Sequence, residues 1–102
     1  MKVHIYKDGL VKFPAEFLAC ECVLIECRPG GLIRLEFIRK TNYIQYGFRL
    51  VPVPASPEAK YPVASCRKLL LALGLPGERV AGVYNLTPES ENNFSFRVNI
   101  EP

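Results

Sequence analysis

A β-hairpin centred on residues 28–31 is the feature that most constrains how this chain can fold. Apolar and polar residues alternate on both sides of that turn, which is the period of a strand with one buried face. With a three-residue loop, Glu26 lies opposite Arg34, a favourable charge pair. A two-residue loop would place Glu26 opposite Ile33, so the hydrophobic pattern favours the first register. In that register one face carries Val23, Ile25, Cys27, Ile33, Leu35 and Phe37.

Several other segments also have the alternation or the turn residues of β-structure. Asp8-Gly9 is a hairpin turn signal between residues 3–6 and residues 10–13. Residues 87–93 are mostly polar and are predicted to form a loop. Further strands are predicted over 43–53, 80–86 and 94–100.

One short helix is predicted over residues 65–73. Ser65 is a favourable N-cap residue, and apolar residues follow it at helical spacing. Gly74 can adopt the left-handed conformation that ends a helix, and Pro76 prevents its continuation. A helix this short needs a sheet to pack on. We therefore expect an α+β fold, a mostly antiparallel sheet of about four to six short strands with this helix packed on it.

The length of 102 residues fits a single domain spanning residues 1–102. Prolines at positions 52, 54 and 57 predict an internal Pro-rich loop at 52–62. No apolar run approaches the roughly 18–20 residues of a membrane span. The N-terminal residues also lack the apolar stretch of a signal peptide. These observations predict a cytoplasmic protein without a membrane partner.

The four cysteines, at positions 20, 22, 27 and 66, raise the question of a metal site. Structural zinc sites usually take two cysteine pairs, each spaced by roughly two to four residues, and this chain has a different spacing. The hairpin register turns Cys27 toward the apolar face and Cys22 toward the opposite face. We therefore expect free thiols in a reducing compartment rather than a metal site.

Motifs for catalysis or phosphate binding are absent from the sequence. His4 is the only histidine, and it lies on a predicted strand with no local sequence that pairs it with a nucleophile. The carboxylates show neither metal-ligand spacing nor a paired acid–base arrangement. We therefore expect a protein that is not an enzyme and that uses no cofactor.

Positive charge is concentrated in the middle of the chain, although the formal net charge is only +3. Residues 28–68 hold eight cationic side chains against two carboxylates. Several of these cations alternate with aromatic residues, a combination that can contact phosphates and stack on bases. The candidate nucleic-acid-binding residues are Arg34, Arg39, Lys40, Tyr43 and Arg49.

Two short segments resemble the AbrB/SpoVT-type swapped-hairpin transcription factors. Residues 73–80, LGLPGERV, are similar to the "LGL-x-PG-D-x-V" corner of that family, with one residue fewer before the proline. Residues 9–16, GLVKFPAE, are similar to its "G-x-I-x-I-P-x-E" strand and helix start. The resemblance implies an obligate dimer whose interleaved strands bind DNA through basic residues.

Two functions are consistent with these observations. The first is a small non-catalytic domain that binds nucleic acid as a transcriptional regulator, because of the basic middle segment. The alternative is a protein–protein interaction or assembly module, with a protein partner or a homodimer, that presents an edge strand. The chain supports this alternative because it has many short strands and few of the features that protect sheet edges.

Overall fold

Ten β-strands make up most of what the computed structural model describes, namely residues 1–39, 48–54, 60–67, 74 and 77–98. The strands are β1 (Lys2–Ile5), β2 (Leu10–Lys12), β3 (Cys22–Arg28), β4 (Leu32–Ile38), β5 (Phe48–Arg49), β6 (Val51–Pro54), β7 (Lys60–Ser65), β8 (Gly82–Asn85), β9 (Thr87–Ser90) and β10 (Asn93–Arg97). Two 3-10 turns, η1 (Ala15–Phe17) and η2 (Pro29–Gly31), and one short helix, α1 (Gly77–Val80), complete the described elements.

The strands form two five-stranded sheets in which every pairing between described strands is antiparallel. Sheet I has the order β6-β7-β2-β1-β8, and sheet II has the order β5-β3-β4-β10-β9. The expectation of a mostly antiparallel structure is confirmed. The expectation of a single sheet with four to six strands is wrong, because the strands form two sheets. The two segments predicted as loops, 52–62 and 87–93, contain most of β6, the start of β7 and all of β9. Helix is a minor element of the described residues, so the α+β label fits only loosely.

The predicted register of the central hairpin is confirmed. In the β3–β4 pair, Glu26 lies opposite Arg34 and Cys27 lies opposite Ile33, with Arg28 and Leu32 closing the three-residue loop. Gly30 and Gly31 have φ values of 80° and 77°. L-residues with side chains rarely adopt this left-handed conformation, so the two glycines allow the tight turn.

The Asp8-Gly9 turn also joins two paired strands, as expected. Gly9 has a φ of 95°, and the Tyr6 amide donates to the Leu10 carbonyl at 2.8 Å. The Leu10 amide donates to Oδ1 of Asp8 at 3.0 Å, so the aspartate side chain satisfies a turn donor.

The Pro-rich loop expected at 52–62 is corrected by the structure, which has strands β6 and β7 at its two ends. Pro52 lies opposite Pro62 in their ladder. Two facing prolines can exchange no N–H bond, so they occupy a non-hydrogen-bonded pair. The missing N–H of Pro52 therefore faces the outer side of an edge strand, where proline is tolerated. Residues 55–59 lie outside the described part of the chain.

The predicted helix over 65–73 falls mainly on residues that the structure does not describe. Ser65 is the last residue of β7, and residues 68–73 lie outside the described ranges. Gly74 has a φ of 67°, the conformation expected at a helix end. Val80, predicted to begin a strand, instead ends α1 and is buried. In the described residues, no helix is both long and apolar enough to cross a membrane.

Both sheets contribute side chains to one hydrophobic core. Val3, Ile5 and Val11 point into it from sheet I, and Val23 and Ile33 point into it from sheet II. At its centre the Phe37 ring stacks on the Phe17 ring at 3.7 Å between centroids and meets two other rings edge-on. The four rings of this aromatic cluster are Phe13, Phe17, Phe37 and Phe94. The inner faces are thereby filled, and the outer faces and the free edges remain for binding.

Candidate functional site

The structure distributes the predicted nucleic-acid-binding residues over several elements of sheet II. Arg34 lies in the middle of β4 and is half-buried, whereas Arg39 follows the end of β4 and is exposed. Arg49 lies in β5 opposite Cys22. Lys40 and Tyr43 lie outside the described residues.

Carboxylates lie beside two arginines of this hairpin, Arg28 and Arg34. Nη2 of Arg28 lies 3.2 Å from Oε1 of Glu26, and Glu26 also faces Arg34 across the ladder. Glu36 shares the outer face with Arg34 because it lies two residues along the same strand. A groove of about 310 Å³ on this face is lined partly by Glu26, Arg34 and Glu36. The outer face around Arg28 and Arg34 therefore has mixed charge rather than a uniformly positive surface.

The four cysteines differ in their accessibility. Cys20, Cys22 and Cys66 are buried, and Cys27 is exposed. Cys27 shares the inner face of the hairpin as predicted, but it lies near the loop, beyond the buried centre of the sheet. Burial raises the pKa of the Cys66 thiol from 9.0 to about 12, so this thiol stays protonated at neutral pH. In the described ranges, no three side chains of the metal-ligating types come together.

The outer face of sheet I carries exposed apolar side chains. Leu10, Val51 and Val83 all point to this side, as the ladder registers show. Val83 is 57% exposed and lies opposite His4 on β1. The His4 ring stacks on the Tyr6 ring at 4.0 Å between centroids. An apolar and aromatic strip therefore borders β8, the last strand of the sheet.

The hydrogen-bond pattern shows which backbone groups of β8 face its free edge. The Leu86 amide donates to the Met1 carbonyl at 2.9 Å. Hydrogen-bonded and non-bonded pairs alternate along an antiparallel ladder, so Tyr84 bonds to Val3 of β1. Val83 and Asn85 are then in non-bonded pairs, and their N–H and C=O groups point away from β1. No described strand pairs with that side of β8.

Among the four described edge strands, only β8 is longer than two residues and also free of proline and charged residues. β5 has only two residues, and β6 contains Pro52 and Pro54. β9 contains Pro88 and Glu89. Proline, charge and short length are the features by which natural sheets prevent their edges from pairing with other chains. β8 has four residues, GVYN, with neither proline nor charge.

Sequence reasoning predicted a strand over 80–86 but did not identify it as an edge. Its lack of proline and charge is visible in the sequence, yet only the sheet order shows that one side is unpaired. We define the β8 edge site as the outward backbone groups of Val83 and Asn85 together with the Val83 side chain.

Comparison with known proteins gives no assignment. No protein-family model, no curated protein and no solved structure matches this chain. The resemblance to AbrB/SpoVT-type transcription factors thus stays a prediction, and any functional conclusion depends on the physical features of the sheets.

Proposed function

We propose that this chain is a small, non-catalytic protein-binding module whose partner adds an extended segment to the β8 edge site. The proposal depends on one observation. The N–H and C=O groups of Val83 and Asn85 point outward from an edge strand that contains neither proline nor a charged residue. An added strand can take up both N–H and both C=O groups in a regular ladder.

The side chains around the edge add a preference to this backbone pairing. Val83 is exposed and stands beside the stacked His4 and Tyr6 rings on the outer face. A bound segment places every second side chain on that face, next to Val83. We therefore expect a partner segment with an apolar residue at the position adjoining Val83, since this contact removes apolar surface from water.

Nucleic-acid binding stays a second prediction, supported by the exposed Arg39 at the end of β4. The carboxylates beside Arg28 and Arg34 favour a protein partner instead, because they oppose the accumulation of phosphate charge on this face. For this reason we rank the protein-binding role first.

The proposal can be tested with a displayed library of random twelve-residue peptides, screened against the protein at nanomolar concentration. Binders are then measured against three variants. Val83→Pro and Asn85→Pro each remove one outward N–H while leaving the bonds to β1 in place. Val83→Thr retains the N–H and the branched shape, and it serves as the matched control.

The expected result is a set of peptides with alternating apolar residues that bind the wild type and Val83→Thr. Binding to either proline variant should be at least tenfold weaker, while circular dichroism shows the same β-structure. The proposal is refuted if folded proline variants retain full affinity, or if the screen selects no peptide that binds at the β8 edge site.

A further inference from the structure

Resting on the proposed function, we infer that the partner at the β8 edge site is a second copy of this chain. The two β8 strands would pair antiparallel about a two-fold axis and join the two copies of sheet I into one continuous sheet. This association adds strand to strand at the edge and leaves each chain's own sheets intact.

The backbone groups select one register for this pairing. Val83 of each chain would lie opposite the partner's Asn85, and the axis would pass between the two Tyr84 residues. Both residues already point their N–H and C=O groups outward. This register therefore forms four inter-chain hydrogen bonds, two in each Val83–Asn85 pair. If Val83 paired with the partner's Val83 instead, that pair would form two hydrogen bonds and would not include the Asn85 groups of either chain.

The charges on the outer face are compatible with self-association. The ladder places Lys2 beside Asn85 and His4 beside Val83. In the joined sheet, Lys2 and Asn85 of one chain would be followed across the interface by Val83 and His4 of the other chain. Two uncharged residues would therefore separate Lys2 of one chain from His4 of the other. No two cations are then directly opposite each other, so the like-charge repulsion that opposes many edge-to-edge contacts is avoided.

The side chains also gain contact in this register. The half-buried Tyr84 would face the partner's Tyr84 on the inner side, as a non-hydrogen-bonded pair in which side chains approach closely. The exposed Val83 would lie diagonal to the partner's Val83 on the outer side. A four-residue edge buries less surface than the roughly 1,200 Å² of a stable interface, so we expect a weak dimer.

Sedimentation velocity of the full chain, from about 1 μM to about 1 mM, tests this inference directly. The wild type should show a concentration-dependent shift from monomer to dimer, and Val83→Thr, which keeps the outward N–H but loses one apolar methyl group, should show the same shift at a somewhat higher concentration. Val83→Pro and Asn85→Pro should remain monomeric over the same range. In a sample mixed from isotope-labelled and unlabelled chains, NMR should detect contacts between Val83 of one chain and Asn85 of the other.

The possible failures of the two proposals are distinguishable. The dimer is refuted if the wild type stays monomeric at about 1 mM. The protein-binding role is still supported in that case if selected peptides bind the wild type and bind the proline variants more weakly. A dimer that persists in both proline variants, or whose NMR contacts lie on other strands, also refutes the inference. Absence of both self-association and peptide binding in the wild type refutes the two proposals together.

Discussion

The aromatic cluster at the centre of the core provides a quantitative test of how the two sheets are held together. Phe37 is 2% exposed and contacts the rings of Phe13, Phe17 and Phe94. Substitution Phe37→Leu retains an apolar side chain but removes all three ring contacts. Each aromatic pair contributes about 0.5–1.5 kcal/mol beyond the burial of its area. We therefore expect the free energy of unfolding to decrease by about 2–4 kcal/mol.

Phe96→Leu is the matched control. Phe96 is also buried, at 4% exposure, but its ring contacts only Tyr84 among the described aromatic side chains. This variant should lose only about 1 kcal/mol of stability. Urea unfolding followed by circular dichroism gives both values, provided that the m-value stays constant. The proposed role of the cluster is contradicted if Phe37→Leu costs no more than Phe96→Leu.

Three further predictions concern backbone packing, pH dependence and charge. Gly77→Ala should destabilise the protein by about 2–3 kcal/mol, because its Cβ would overlap the Lys7 carbonyl oxygen. Gly74→Ala, whose Cβ would meet no atom of the described residues within 4 Å apart from its chain neighbours, should cost only about 1 kcal/mol from its positive φ; equal urea midpoints for the two variants would contradict this account. Above pH 9 the unfolded chain ionises its Cys66 thiol, whereas burial raises the pKa of that thiol to about 12 in the fold. Stability should therefore decrease as pH rises from 9 toward 12, with a slope of about 1.4 kcal/mol per pH unit from this group. Cys66→Ala should show a flatter profile in urea titrations, and an unchanged slope would disprove the assignment. If the nucleic-acid prediction is correct, duplex DNA binds in low salt and Arg39→Ala lowers the salt slope by about one; absence of binding in low salt eliminates that role.

The parts of the fold that follow local rules could be predicted from the sequence. The β3–β4 register follows from alternation, because a slip of one residue would expose the inner face. The turns at Gly9 and Gly30 follow from the need for a positive φ. These features depend on residues close together in the chain.

Features that depend on long-range pairing could not be predicted. Pro52 indicates a loop in isolation, but it is compatible with a strand when its missing N–H faces outward from the sheet. Alternation predicts Glu26 opposite Arg34, but it does not predict that β10 places Ser95 on the other side of Arg34, where the Ser95 hydroxyl donates to Glu89 at 2.6 Å. The β8 edge site exists because β8 pairs with β1 on one side and with no described strand on the other. This pairing joins distant parts of the chain, so local sequence patterns do not reveal it.

Residue-resolved hydrogen exchange at β8 tests the central claim most directly. In dilute protein, the amides of Val83 and Asn85 should exchange rapidly, whereas the Tyr84 amide between them, bonded to Val3, should exchange slowly. A saturating amount of a selected peptide should slow exchange at Val83 and Asn85 together. Slow exchange at both amides in the dilute protein, or no change when the peptide is bound, would contradict the account.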